Sequence, residues 1–410
     1  MLVRANNSVG RIILYGAVVD VPDRPSYGLK HYVRRFVDKT AFRLGYVHRL
    51  DYRNHLDGHT HNRGDHSIIV AMKQRIRAIE RTRCIVAVQW GRLEAAGLTS
   101  RDKVLICGSG YFFPDQKGRL PDRIFSDYRA IETSGCEVHF VGVGYNRILA
   151  WRSLDEQLLL SESRQMLRKM LDRAATLTVR DGNTKRVLSN FTNRSIRVVG
   201  DPALFIEAPA LAVRGVKERC QPRVGLNVPF HGPQSTMWVR KNLRQFVGAI
   251  KRIETLTGCR FTYFVHYDTE LLIADILRSQ GIRLDVVNLI SDRLPREYAG
   301  VDVHIGGMLH SCILATAAGV PSVGLAYDEK HYGFFDLMQR PEFCLNANQF
   351  DEGELVDKTI ELLADESGEA RSLAGRRRDL SIEFDSQLRA VMFASPSLAK
   401  MEEQEGVSIL

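Results

Sequence analysis

Residues 305–335, IGGMLHSCILATAAGVPSVGLAYDEKHYGFF, hold the densest set of chemistry-bearing groups in this 410-residue chain. A strand pattern ends at Gly306-Gly307, and His310 and Ser311 open the helical pattern that follows. Backbone amides are unpaired at such a helix start, so the position suits an anion. A histidine there either binds a carboxylate or phosphate and relays a proton near neutral pH, or simply caps the helix. The next strand pattern ends at Tyr327-Asp328-Glu329-Lys330, which brings further polar groups and one cation, Lys330, to the same sheet edge.

Other segments carry comparable sets. LTVRDGNTKRVL puts Arg180 at a strand end and Asp181 at the turn into a helix. A planar guanidinium suits bidentate recognition of a carboxylate or phosphate; the alternatives are a pair with Asp181 or simple solvation. In VVGDPALF, Asp201 is expected to cap the turn that stops the strand. HLDGHTHNRGDHSIIVAM sets Asn62-Arg63-Gly64-Asp65 before a helix, a loop whose amides can cradle an anionic or sugar ligand. His55, His59, His61 and His66 crowd that loop. Their spacing matches no zinc motif, so a polar loop lining a cleft is expected there and no metal. Gly108-Ser109-Gly110 follows a strand in CGSGYFFPD, but no helix begins where a dinucleotide site needs one.

The elements that must position these groups alternate. Short β-branched runs (RIILYGA, RCIVAVQW, KVLICGSG, CEVHFVGVG, LTVRD, IRVVGD) are separated by helical patterns such as HSIIVAMKQRIRAIERT and SESRQMLRKMLDRAATL. After a charged linker near Pro209 the rhythm restarts with PRVGLNV, RFTYFVHY, RLDVVNLI, VDVHIGG and PSVGLAY, again with helices between. The pattern predicts two α/β domains, 1–212 and 213–396, each a mainly parallel sheet covered by helices, and a polar tail over 397–410. Ligands bind such sheets beyond the carboxyl ends of the strands, where the motifs above fall.

Composition narrows the class. Hydrophobic residues at 44% and charged residues at 26% are ordinary globular values. Seven dispersed cysteines without a CxxC pair read as reduced thiols. The net charge of +9 favours acidic partners, but no nucleic-acid-binding pattern accompanies it. Anionic small molecules, or lipid-linked acceptors at a membrane surface, fit it equally. No run approaches the roughly 18–20 apolar residues of a membrane-spanning helix, and no secretory signal pattern is seen. A cytoplasmic protein is expected, at most touching the inner face of the membrane.

In order along the chain, NRGD before a helix, GSG after a strand, VRD before a turn, GDPAL, and LH ahead of AAGVPSVGLAYDEK resemble the polysaccharide pyruvyl transferase family over about residues 60–340. The resemblance implies a GT-B-like pair of Rossmann-like domains facing a cleft. It also implies transfer of an enolpyruvyl group from phosphoenolpyruvate to two hydroxyls of a sugar, in a polysaccharide or its lipid-linked precursor. The products are a cyclic pyruvate ketal and phosphate, and no further cofactor is needed. Arg180 and His310 are the positions expected to hold the donor, with Leu309, Ser311 and Lys330 beside them. Asn62, Arg63, Gly64, Asp65, Gly108, Ser109 and Gly110 are expected on the acceptor side, with His310 as acid and Asp65 orienting the hydroxyl. One departure stands out: Met308 occupies the place of a family arginine. Either another cation such as Arg63 or Lys330 compensates, or the donor differs, or activity is lost. The rival readings are a nucleotide-sugar glycosyltransferase, with Asp328 or Glu329 on the ribose, and a non-catalytic glycan-binding member.

Overall fold

The computed structural model describes residues 10–19, 27–56, 62–147, 159–207, 221–289, 293–365 and 368–393. Its first sheet is built from β1 (Ile12–Gly16), β2 (Ile85–Gln89), β3 (Lys103–Cys107), β4 (Glu137–Val143), β5 (Thr176–Val179) and β6 (Arg197–Val198). The second comprises β7 (Arg223–Asn227), β8 (Arg260–Phe264), β9 (Leu284–Val287), β10 (Val303–Gly306), β11 (Ser322–Ala326) and β12 (Cys344–Asn346). Every registered strand pair is parallel. The orders are β2-β1-β3-β4-β5-β6 and β12-β11-β10-β7-β8-β9. The first is flavodoxin-like and the second has the Rossmann order, so both are doubly wound. The two-domain α/β architecture is the one expected.

The strands are apolar throughout because both sheet faces are covered. Helices α2 (Arg63–Ile79), α3 (Asp122–Ser134), α4 (Ser161–Arg173) and α5 (Gly182–Leu188) serve the first domain, whereas α1 (Leu29–Arg43), ahead of them in the chain, packs against the second, where Arg35 pairs with Asp275 and donates to the Leu271 carbonyl. The second carries α6 (Pro233–Thr257), α7 (Leu271–Ser279), α8 (Leu294–Tyr298), α9 (Leu309–Ala317), α10 (Glu329–Leu337) and α11 (Glu352–Ala364). Several motif residues turn out to be helix starters. Asn62 caps α2, Asp181 caps α5 and Asp328 caps α10, each accepting from an amide of the first turn. Asp201 caps the short turn Pro202–Phe205 in the same way, as its place in GDPAL predicts.

The last helix, α12 (Gly368–Phe393), departs from the expected division. Sequence position assigns it to the second domain, yet it packs on the first. Phe384 meets Phe205 at a ring separation of 4.7 Å. Arg377 donates to the Leu204 carbonyl, Arg75 pairs with Asp385, and Lys103 donates to the Val391 carbonyl. The chain thus straps the domains together, and one continuous apolar core runs from β1 and α2 through α9 to α12. Strand β12 has no counterpart among the sequence-predicted strands; CLN is too short to show a period.

Candidate active site

The carboxyl ends of the two sheets face one another, and the motif residues meet there from both sides. Helix α9 opens at Met308 without a side-chain cap, leaving the amides of Leu309 and His310 at its start. The buried His310 ring points across the interface between two carboxylates of the first domain. Its Nδ1 lies 3.8 Å from Asp65 Oδ1, and its Nε2 lies 3.6 Å from Asp201 Oδ2. These separations exceed a hydrogen bond. Asp201 Oδ2 and His310 Nε2 are both buried and have no hydrogen-bond partner among the described residues. Burial alone would raise the Asp201 carboxyl; interaction with His310 and the charge of Arg180 outweigh it and hold the group below its ordinary value.

Asp65 is fixed in turn. Asn62 Nδ2 donates to its Oδ2 at 2.7 Å and Ser109 Oγ to its Oδ1 at 2.9 Å. The close approach depends on Gly64, where an added Cβ would overlap the His310 ring. It also depends on the Gly108-Ser109 turn, where both residues adopt positive φ (48° and 56°). For serine this conformation is strained, and it aims the hydroxyl at Asp65. Asn62, Asp65, Ser109 and His310 are therefore one cluster, as the motifs imply.

Arg180 forms a second cluster. Its Nε donates to Asp181 at 3.0 Å and its Nη2 to Asn146 at 2.7 Å. Arginine and aspartate are both buried, so the pairing weighed as an alternative is present. Gly110 backs onto Asn146 and Gly144 onto the guanidinium. Across the interface, Gly333 of α10 seats against Asp181, which brings Lys330 into range. Burial pushes the Lys330 ammonium down, the Tyr327 phenol and Asp328 more than offset that, and the neighbouring Arg180 cation opposes them; the net direction is upward.

Other candidates are placed elsewhere. Arg63, expected on the acceptor side or as a compensating cation, is buried and spent on holding the domains together. Its guanidinium donates to the Val265 carbonyl at 3.1 Å and to Asp268 at 2.6 Å. Ser311 turns its hydroxyl back to the Met308 carbonyl at 2.7 Å. Asp328 serves as the α10 cap, and Glu329 is paired with Arg147. Neither carboxylate that a nucleotide-sugar reading would set on a ribose is uncommitted. His55 is paired with Asp38 at 2.7 Å, and His59 and His61 lie outside the described residues.

Several participants escape sequence reasoning. Asn227, at the end of β7, accepts from the Met308 amide at 2.9 Å and donates to Glu270 at 2.9 Å, so it sets the start of α9. Glu270 is fully buried; burial pushes its carboxyl up to about 8, despite bonds from the His266 amide and Asn227. A carboxyl raised in this way favours the folded state when protonated. Stability is therefore lost as pH rises from the unfolded value near 4.5 through about 8. Glu270→Gln, which mimics the protonated group, is expected to raise stability over wild type by about 3 kcal/mol at pH 7 and by little at pH 5. Denaturant melts of both proteins at the two pH values check this.

Two parallel α/β sheets with buried cations, a histidine and its carboxylates gathered where they meet define a two-domain α/β protein with polar groups of both signs between its domains. The chain belongs to the polysaccharide pyruvyl transferase family, whose model matches residues 18–329. Membership implies a transferase acting on polysaccharide. None of the curated proteins compared matches the sequence significantly. Among solved structures, it is similar to an α,α-trehalose 6-phosphate synthase from Burkholderia multivorans, with 11% identity and a TM-score of 0.49 over 98% of this chain and 99% of the other. It is also similar to the UDP-GlcNAc 2-epimerase of Methanocaldococcus jannaschii, with 11% identity and a TM-score of 0.42 over 91% and 99%.

Proposed function

We propose that this protein transfers the enolpyruvyl group of phosphoenolpyruvate onto two hydroxyls of one sugar residue, in a polysaccharide or its lipid-linked precursor, as a cyclic ketal. The observation that carries this reading is His310 held between Asp65 and Asp201, beside Arg180 and Lys330. Arg180, Lys330 and the open start of α9 bind the donor's carboxylate and phosphate. Asp65, fixed by Asn62 and Ser109, accepts the proton of the first sugar hydroxyl as its oxygen adds to the enol carbon. His310 delivers a proton to the methylene, which becomes the methyl group. The C–O bond to phosphate then breaks, and phosphate departs with the proton relayed by Asp65. The second hydroxyl closes the ketal, and its proton restores His310. In this scheme the two carboxylates supply charge complementary to the ring as it carries the proton. No metal or nucleotide cofactor enters the scheme.

Lys330 takes the part of the missing family arginine in this reading. Tyr327 links the two positions: its hydroxyl sits 3.9 Å from Met308 Sδ, and Lys330 Nζ lies 5.1 Å from its ring centre. Met308→Arg is accordingly expected to change phosphoenolpyruvate affinity by less than about ten-fold, because the site is already neutralised. Were the site instead degraded, a restored guanidinium would tighten binding by roughly ten- to a hundred-fold. Calorimetric titration of wild type and variant separates the two cases.

A further inference from the structure

The stretch between β1 and α2 carries none of the family-like motifs, and its described residues include α1 and two short turns, Val47–Arg49 and Tyr52–His55. A helix on a domain surface normally turns its apolar stripe inward. Helix α1 also turns one outward. Leu29, Tyr32, Val33, Phe36 and Val37 recur at the three-and-four spacing of one helix face, and all are exposed, Leu29 by 80% and Phe36 by 63%. Leu44, 68% exposed, extends the patch past the helix end. The opposite face is the buried one, with His31, Asp38, Ala41 and Phe42.

The charges around this stripe have one sign. Helical geometry sets Lys30 and Arg34 along one edge and Lys39 and Arg43 along the other. Residues 27–56 hold seven Lys and Arg against two acids, Asp38 and Asp51. Both acids are already engaged, Asp38 with His55 and Asp51 with Arg53. No helix among the described residues is long and apolar enough to cross a membrane. A helix with an apolar outer face and cationic edges fits the interfacial plane of a bilayer, where anionic headgroups meet the cations. A second copy of the chain fits poorly, because a self-complementary contact would oppose like charges.

We infer that α1 is a surface-docking helix that seats the protein on a bilayer containing anionic lipid. Its position suits delivery of an acceptor from that bilayer. Tyr27, just ahead of α1, donates to Asp268 at 2.7 Å, the same carboxylate that Arg63 holds at 2.6 Å. Arg35 pairs with Asp275 of α7. The helix is therefore braced against the second domain, beside the carboxylate that holds Arg63 of the Asn62–Asp65 loop. That the bilayer presents a lipid-linked sugar rests on the proposed function; the docking itself does not.

The test is co-sedimentation of the full chain with phosphatidylcholine vesicles, with and without phosphatidylglycerol, in the absence of phosphoenolpyruvate. Wild type is expected to bind the anionic vesicles at ten-fold or more lower lipid concentration than the zwitterionic ones. Val33→Ser with Phe36→Ser is expected to weaken binding ten-fold or more. Lys30→Glu with Arg43→Glu is expected to abolish the anionic preference. Melting temperature and turnover on a water-soluble acceptor stay unchanged in both. Should the serine pair lower the melting temperature, Leu29→Ser, at the most exposed position, replaces it. Three results overturn the inference: no binding to either vesicle, variants that bind like wild type, or a wild-type dimer in sedimentation velocity that Phe36→Ser dissolves. Vesicle binding without turnover would count against the proposed chemistry and leave the docking intact; turnover without vesicle binding would do the reverse.

Discussion

Replacing His310 with glutamine is expected to lower kcat by a hundred- to ten-thousand-fold while phosphoenolpyruvate affinity and melting temperature change little. Glutamine fills a similar volume and can hydrogen-bond to Asp65 or Asp201, but it cannot deliver a proton to the methylene carbon. Its amide would also leave Asp201, a buried carboxylate, facing a neutral partner. Asp201→Asn should therefore show part of the same kcat loss. A merely capping histidine gives the opposite pattern, a lowered melting temperature with turnover kept within a few-fold. Measuring turnover, donor affinity and thermal stability on one preparation of each protein separates the two.

Arg180→Ala is the second large effect, and it has two components. Loss of a charge-assisted bond to the donor weakens phosphoenolpyruvate binding by ten-fold or more. From sequence alone, the fold would be expected to tolerate this change, because a cleft arginine contributes little to a core. The geometry says otherwise. Arg180 is buried against Asp181, and removing one member of a buried pair costs about 3–5 kcal/mol by stranding the other. A lower melting temperature is expected alongside the binding loss. The double variant Arg180→Ala/Asp181→Asn should recover much of the stability, since asparagine still caps α5 and carries no stranded charge. Donor affinity should remain low in the double variant. Recovery of both quantities together would remove Arg180 from the donor site.

What the sequence reveals follows from the range over which each signal acts. Strand and helix periods are local, so most of both sheets, and the places where the motifs interrupt them, can be read directly. Asp181 announces itself at the turn into a helix for the same reason, whereas Asp328 reads only as a polar group at the sheet edge and its capping of α10 emerges from the structure. The partnership of Ser109 with Asp65 spans 44 positions, and only the shared placement of their motifs at strand and helix ends suggests it. Asp201 is legible as a cap but not as a neighbour of His310, because one carboxylate oxygen serves each purpose. Arg63 looks like a ligand-binding cation within NRGD, and only the opposing domain reveals that Asp268 claims it. Glu270 opens an apolar helical run and carries no sequence signal of its own, whereas burial beside Asn227 makes it part of the support beneath α9. Helix α12 has an ordinary amphipathic pattern, which says which face is buried but not which domain buries it.

Phosphate release from phosphoenolpyruvate by the wild-type protein, measured across a panel of free and lipid-linked galactosides, mannosides and glucosides, tests the central claim most directly. Release is expected to depend on one class of acceptor, with a product gaining a pyruvate ketal and with His310→Gln nearly inactive. Calorimetric binding of a UDP-sugar by a protein that neither binds phosphoenolpyruvate nor releases phosphate with any acceptor would contradict it.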